Sequence, residues 1–228
     1  MHFFKSNCLL LIVIILLSGL AYNQFQINEK LNMTISELNK ITQLIPSKPP
    51  SASKEFNIPI NNSIVIGNKN AKVTITKWSD FQCPYCASSA SLVKEIRDRY
   101  PNDVKIVFKN FPLAFHLQAK EAGKYALAAN KQGEFEPFYY ELSARFRELK
   151  SNPNIYKEIA QKLSLNYNQL KRDVSNPKFE KQIEAEMKQL TDTGMRLAVP
   201  KFLINGVEQK TRDLDDWINA IDRELNKS

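Results

Sequence analysis

The segment from Val73 to Phe108 changes periodicity twice, and that change restricts the chain to one kind of architecture. VTITKW, Val73 to Trp78, is dense in β-branched and aromatic residues, as a buried strand requires. From Cys86 to Tyr100, residues Ala87, Ala90, Leu92, Val93, Ile96 and Tyr100 recur at helical spacing, and VKIVF, Val104 to Phe108, is a second apolar β-run. Strand, helix and strand in that order form a βαβ unit, whose two strands run parallel and whose crossover is right-handed. The fold class is therefore α/β.

The remaining chain arranges itself around that unit. Residues 1–21 put Lys5 before an unbroken apolar run, Cys8 to Leu17, followed by Gly19-Leu20-Ala21. This is the pattern of a cleaved signal peptide, with a retained N-terminal anchor as the alternative, although the run is short for a bilayer of about 30 Å. Either reading exports the rest. Residues 22–55 follow as an amphipathic helix and a linker: Ile27, Leu31, Ile35, Leu38 and Leu44 lie at near-helical spacing within Gln26 to Ile45, and IPSKPPSAS, Ile45 to Ser53, reads as extended. That helix serves either as a stalk or as an oligomerisation segment.

The compact domain is expected over residues 56–228. Asn57 to Ile66 is β-like, with a turn at Gly67-Asn68. A helical insertion occupies about residues 117–196, broken at Gly133, Pro153, Asn176-Pro177 and Gly194. KFLINGVE, Lys201 to Glu208, runs a strand into an Asn-Gly turn, with Val207 to Gln209 returning as its hairpin partner. Leu214 to Leu225 closes the chain as a helix capped by Asp213, with Trp217, Ile218, Ile221 and Leu225 on one face.

Lys and Arg outnumber Asp and Glu by 32 to 24, a net charge of +8, but the positive residues are scattered singly among acids. With no basic arm, no nucleic-acid partner is expected.

Outside the apolar leader, which contains Cys8, the cysteines are Cys83 and Cys86. A disulfide across so small a loop removes little chain entropy, so reactivity accounts for the pair better than stability does. A zinc site would need further ligands, and the histidines are His2, in the leader, and His116; no metal is expected. A Cys-x-x-Cys opening a helix after a buried strand reads as thioredoxin-like redox chemistry. Cys83 meets the unsatisfied N–H groups and the positive end of the helix dipole, which stabilise a thiolate and make it the nucleophile. Cys86, one turn on, closes the internal disulfide. Pro84 occupies a position that tolerates its missing N–H, and Tyr85 is free to tune the thiolate and meet a partner. The redox carrier would be the disulfide itself, with no other cofactor.

Three blocks resemble the DsbA-type thiol:disulfide oxidoreductases of the thioredoxin superfamily: GNKNAKVTITKWSDFQCPYC, Gly67 to Cys86; FKNFPLAFHLQAKEAGKYALAANKQGEF, Phe108 to Phe135; and VPKFLINGVE, Val199 to Glu208. The resemblance implies a thioredoxin-like fold with a helical insertion between the βαβ unit and a C-terminal β-hairpin and helix. It also implies a cis Val199-Pro200 peptide beside Cys83, leaving the preceding backbone free to pair with an extended substrate. In one place the sequence departs from the family. Many members and relatives carry an acidic residue six positions before the first cysteine, where a buried carboxylate can relay the proton of the second thiol; here that position is Lys77, a departure that bears on the usual relay and not on the exchange chemistry. A lysine there could lower the thiol pKa values by its charge, but its own pKa would fall if it were buried. Asp80 reads as exposed or capping rather than as a proton relay, and His116 as a packing or surface residue.

The expected activity is donation of the Cys83–Cys86 disulfide to reduced exported proteins in the periplasm or at the cell surface. A membrane-bound partner would reoxidise the pair, in the manner the family implies. The alternatives are a disulfide isomerase or reductase, dimeric through residues 26–45, and a non-enzymatic module that holds extended peptides in a thioredoxin-like groove. The oligomeric state is left open.

Overall fold

The computed structural model describes residues 3–44 and 54–227, in two units that divide near residue 52. In the first unit, α1 (Phe3–Leu44) is one 42-residue helix. The sequence separates an apolar leader from an amphipathic helix starting at Gln26, but the helix runs through that boundary. Its one glycine, Gly19, costs only about 1 kcal/mol in a helix interior, too little to break it. Leu16, Leu17, Leu20, Phe25, Ile27, Leu31, Ile35 and Leu38 are exposed along it. Among the described residues, no helix is long and apolar enough to cross a membrane. The linker Ile45 to Ser53 lies outside the described residues.

In the second unit, β1 (Ile64–Gly67), β2 (Val73–Ser79), β3 (Val104–Asn110), β4 (Lys201–Ile204) and β5 (Val207–Glu208) form one sheet in the order β1-β3-β2-β4-β5. β2 and β3 are parallel, as the βαβ reading requires, and the other pairings are antiparallel. β2 lies at the centre, with Lys77 opposite Phe108 of β3 and Phe202 of β4.

The elements of the second unit keep the expected order with two corrections. The helix expected from Cys86 to Tyr100 is two, α2 (Pro84–Ser88) and α3 (Ala90–Arg99), broken at Ser89. The Ser89 hydroxyl donates to the Cys86 carbonyl at 2.7 Å, a side-chain bond of the kind that bends helices. Of the β-like stretch Asn57 to Ile66, only the end pairs as strand; Pro59 and a turn at Asn61, with φ 49°, keep the earlier part out of the sheet.

The insertion comprises α4 (Ala119–Lys131), α5 (Phe135–Ala144), a 3-10 turn (Phe146–Lys150), α6 (Ile155–Lys162), α7 (Tyr167–Val174) and α8 (Pro177–Asp192). Asn176 caps α8 through the Lys178 N–H, with Pro177 in the first turn. The last helix, α9 (Leu214–Leu225), has the expected Asp213 cap, accepting from Asp215 and Asp216.

The larger core fills one face of the sheet. Ile75, Ile106, Phe108, Phe202 and Ile204 pack with Val93 and Ile96 of α3, Phe138 and Tyr139 of α5, and Trp217 and Ile221 of α9. On the other face Trp78 and Leu203 meet Phe111 and Leu190, with Phe56 and Ile58 alongside. β2 is thus covered on both faces, and its C-terminal end delivers the chain to the cysteine pair.

The β4–β5 hairpin turns on Asn205 (φ 42°) and Gly206 (φ 83°), the left-handed pair that a two-residue turn demands. A Cβ on Gly206 would come within 2.5 Å of the Phe56 carbonyl oxygen. Gly206→Ala is therefore expected to lower stability by about 2 kcal/mol, read as a lower urea midpoint with an unchanged m-value; an unchanged midpoint would contradict the close approach.

Candidate active site

The site begins where β2 ends. Asp80, buried, turns the chain: its Oδ1 accepts from the N–H groups of Gln82 at 2.7 Å and Cys83 at 3.0 Å. Its Oδ2 accepts from the Leu113 N–H at 2.8 Å and contacts His116 Nδ1 at 2.8 Å. One carboxylate thus joins the head of the active-site helix to the loop after β3. The sequence left Asp80 as exposed or capping; the structure rules out exposure. His116, set aside as a packing or surface residue, is Asp80's partner. A second link runs between Gln82 and Gln118, with Gln82 Nε2 donating to Gln118 Oε1 at 2.6 Å and the Gln118 N–H donating to Gln82 Oε1 at 3.0 Å.

Cys83 is the N-cap of α2 and Pro84 its first residue. Both thiols are free, and both are buried, Cys83 at 5% exposure and Cys86 at 2%. Their acidities are driven in opposite directions. Cys83 is lowered to about 6, first by the hydrogen bond from the Cys86 thiol and then by the backbone N–H groups of Cys86 and Tyr85, against burial and the Asp80 charge. Cys86 is pushed far up, first by burial and then by its role as donor to Cys83. The Asp80 N–H donates to Cys86 Sγ at 3.4 Å.

Lys77 is fully buried in β2. Its ammonium donates to Ser89 Oγ at 3.1 Å and to the Tyr139 hydroxyl. Burial lowers its pKa to about 7, opposed chiefly by the Cys86 charge, while Arg212 lowers it further. Reciprocally, Lys77 lowers the Cys86 pKa. Of the two effects expected of a lysine here, the fall in its own pKa dominates, and the thiol whose pKa it lowers is Cys86.

The Val199-Pro200 peptide is cis, and Cys83 Sγ lies 3.9 Å from the Val199 carbonyl oxygen. Tyr85, within the cysteine pair, and Phe115, Leu117 and Leu197 are the exposed large hydrophobic side chains among the described residues of the second unit; Phe115 and Leu117 flank His116 in the chain, and Leu197 lies two residues before Val199. Ser89 and Tyr139 escape sequence reasoning because no periodicity marks them; they reach Lys77 from two separate segments, the break between α2 and α3 and the α5 helix. Among the described residues, no cluster of three or more His, Cys, Asp or Glu is placed to hold a metal.

The family model described as Thioredoxin matches residues 60–223, and the chain belongs to that family. A putative protein-disulfide oxidoreductase of Rickettsia bellii is 22% identical over 196 residues, 82% of this chain and 74% of that protein. Residues of this chain also match a Na(+)/H(+) antiporter, NhaA 3, of Salinispora tropica, at 29% identity over 62% of this chain; the chain spans only 21% of that protein's length. Among solved structures, a thioredoxin-like oxidoreductase from Silicibacter pomeroyi superposes with a TM-score of 0.63 at 25% identity, covering 74% of this chain and 95% of that one. BdbD from Bacillus subtilis gives 0.65 at 20% identity, covering 77% and 99%. The thioredoxin-like fold read from the sequence, and with it the place of the chain in the thioredoxin family, are borne out.

Two outcomes follow from the site's electrostatics. In the reduced protein, iodoacetamide should alkylate Cys83 along a pH curve with its midpoint near 6, while Cys86 stays unmodified up to about pH 9; equal labelling of both would contradict the asymmetry. The second concerns Lys77, a base whose folded pKa lies below its unfolded one. Its favourable contribution is complete above about pH 10.5 and is lost as pH falls to about 7. In the oxidised protein, where no thiolate favours the ammonium and the folded pKa lies no higher than about 7, wild type should gain on the order of 5 kcal/mol relative to Lys77→Met across that window. Urea melts at both ends measure it, and parallel pH curves would refute a buried amine.

Proposed function

We propose that this chain is an exported thiol:disulfide oxidoreductase that donates the Cys83–Cys86 disulfide to reduced proteins in the periplasm or at the cell surface, and that a membrane-bound partner reoxidises it. The observation that carries the reading is the opposed acidity of the two thiols, with Cys83 lowered to about 6 and Cys86 raised. A nucleophile of low pKa is a good leaving group, and its stabilised thiolate favours the reduced enzyme, hence the oxidised client.

The cycle balances without another cofactor. A client thiolate attacks Cys83 Sγ, the Cys83–Cys86 bond breaks, and Cys86 leaves as a thiolate that takes up a proton. A second client thiolate then attacks the client sulfur of the mixed disulfide and expels Cys83 as a thiolate. The client loses two electrons and gains a disulfide; the cysteine pair gains both electrons.

Two further observations support the reading. The exposed Tyr85, within the cysteine pair, and the exposed Phe115, against the ring of Asp80's partner His116, offer apolar surface suited to unfolded polypeptide. Export rests on Lys5, the apolar run Cys8 to Leu17 and Gly19-Leu20-Ala21. A second reading, an isomerase or reductase acting as a dimer, draws on the exposed Ile27, Leu31, Ile35 and Leu38 of α1.

Cys83→Ser should abolish disulfide formation in a reduced, unfolded client, followed by free-thiol titration. Unchanged client oxidation would sink the enzymatic reading in favour of a peptide-holding module. A reduction potential for the pair closer to about −120 mV than to about −270 mV marks a donor; the lower value, with a dimer by light scattering, would favour the second reading.

A further inference from the structure

We propose that His116 is a positioning residue for Cys83, acting through Asp80: its ring holds the carboxylate that fixes the head of the active-site helix, and it offsets the negative charge which that carboxylate sets beside the reactive sulfur. The proposal rests on the thiol–disulfide exchange reading and gives a side chain from the loop after β3 a part in it.

The contacts form one unbroken line. The Cys83 N–H donates to Asp80 Oδ1 at 3.0 Å, and His116 Nδ1 lies 2.8 Å from Oδ2 of the same carboxylate. An ionised carboxylate only accepts, so the proton of this bond sits on His116 Nδ1. The ring is held for that bond. The His116 N–H closes a turn on the Leu113 carbonyl at 2.9 Å, the Phe115 ring packs edge-on at 4.5 Å between centroids, and 13% of the imidazole side chain is exposed.

Asp80 poses a problem that this bond answers. It is 1% exposed, and the backbone N–H groups of Gln82, Cys83 and Leu113 converge on it. Those bonds pin the chain between β2 and α2, but they also fix a negative charge next to a sulfur that must itself become negative. Asp80 opposes the Cys83 thiolate, acting against the hydrogen bonds from Cys86 and Tyr85 that favour it. Among the described residues, His116 is the one basic side chain within ion-pair distance of Asp80.

The other buried acids among the described residues, Asp173 and Glu186, likewise have basic partners, Lys131 and Lys109; an unpaired buried charge is costly. What sets Asp80 apart is its bond to the residue that carries the reactive sulfur. From its own helix Cys83 feels the Cys86 thiol and the N–H groups of Cys86 and Tyr85, from the end of β2 it feels Asp80, and within β2 stands Lys77, whose ammonium the Cys83 thiolate favours. His116 joins this set through Asp80.

Loss of the imidazole leaves the loop attached. Leu113 still donates to Asp80, and Gln118 still exchanges two hydrogen bonds with Gln82, at 2.6 and 3.0 Å. Removing His116 therefore acts on the carboxylate's charge and aim, and from there on the thiolate. A less stable Cys83 thiolate makes the pair a weaker oxidant and Cys83 a poorer leaving group.

The test uses the full chain with Cys8→Ser, so that Cys83 and Cys86 are its only thiols. It is brought to equilibrium with glutathione, two of whose thiols reduce the Cys83–Cys86 disulfide and become one glutathione disulfide. His116→Phe should raise the alkylation midpoint of Cys83 by about one pH unit. At about pH 8 its equilibrium constant for reduction should fall about tenfold, which is about 30 mV. At about pH 5, below both midpoints, Cys83 is protonated in either protein and the two constants should converge. His116→Asn, whose amide nitrogen takes the place of Nδ1 on the same Cγ, should recover most of the loss.

A His116→Phe profile superimposable on wild type would overturn the role of His116 while leaving exchange intact. A fall of equal size at both pH values, or no recovery by His116→Asn, would trace the loss to packing and overturn it too. Failure of the wild type to exchange with glutathione at any pH would overturn the exchange reading and this proposal with it. Should the phenylalanine variant not fold, nitrogen-15 NMR of histidine-labelled wild type decides: a proton on His116 Nδ1 supports the proposal, and a bare Nδ1 defeats it.

Discussion

The second unit depends on the burial of β2 on both faces and along both edges. Parallel pairing with β3 and antiparallel pairing with β4 satisfy its backbone, and Ile75 and Trp78 anchor it to opposite cores. A strand so constrained cannot shift by one residue without exchanging the contents of the two cores. Its rigidity passes to the cysteines through Asp80, which receives the chain at the strand's end and holds both Cys83 and the Leu113–His116 loop. The reactive sulfur is thus set on a fixed element, not on a mobile loop.

Position on that element also separates two chemically identical thiols. At the N-cap, Cys83 receives the Cys86 thiol and two backbone N–H groups, and its thiolate is favoured. One turn on, Cys86 is deeper, gives up its hydrogen bond, and its thiolate is disfavoured. Lys77 beneath it is disfavoured as an ammonium for the same reason, burial. Each buried group is costly when charged alone, so the protonation of one is coupled to that of the other.

The elements with strong local signals were legible. β2 and β3 announce themselves by β-branched content, the β4–β5 turn by Asn205-Gly206, and α9 by Asp213 and its apolar face. Misreadings arose where a single side chain overrode the pattern. Ser89 breaks a helix whose apolar spacing continues unbroken, and Pro59 with Asn61 removes most of an apparently β-like run from the sheet. The α1 helix erred the other way, continuing where composition changes but helix propensity does not.

By itself the sequence determined the βαβ order and the place of Cys83 and Cys86 at a helix start. These follow from spacing, which acts locally and can be read in order, whereas Lys77 stood out only against the family that the chain resembles. The tertiary structure alone decided that Lys77 is buried, that Tyr139 and Ser89 are its partners, and that His116 completes the Asp80 junction. Those contacts join residues as many as 62 positions apart, and the acidity of a group depends on what folding removes and places around it, a quantity that no stretch of sequence contains.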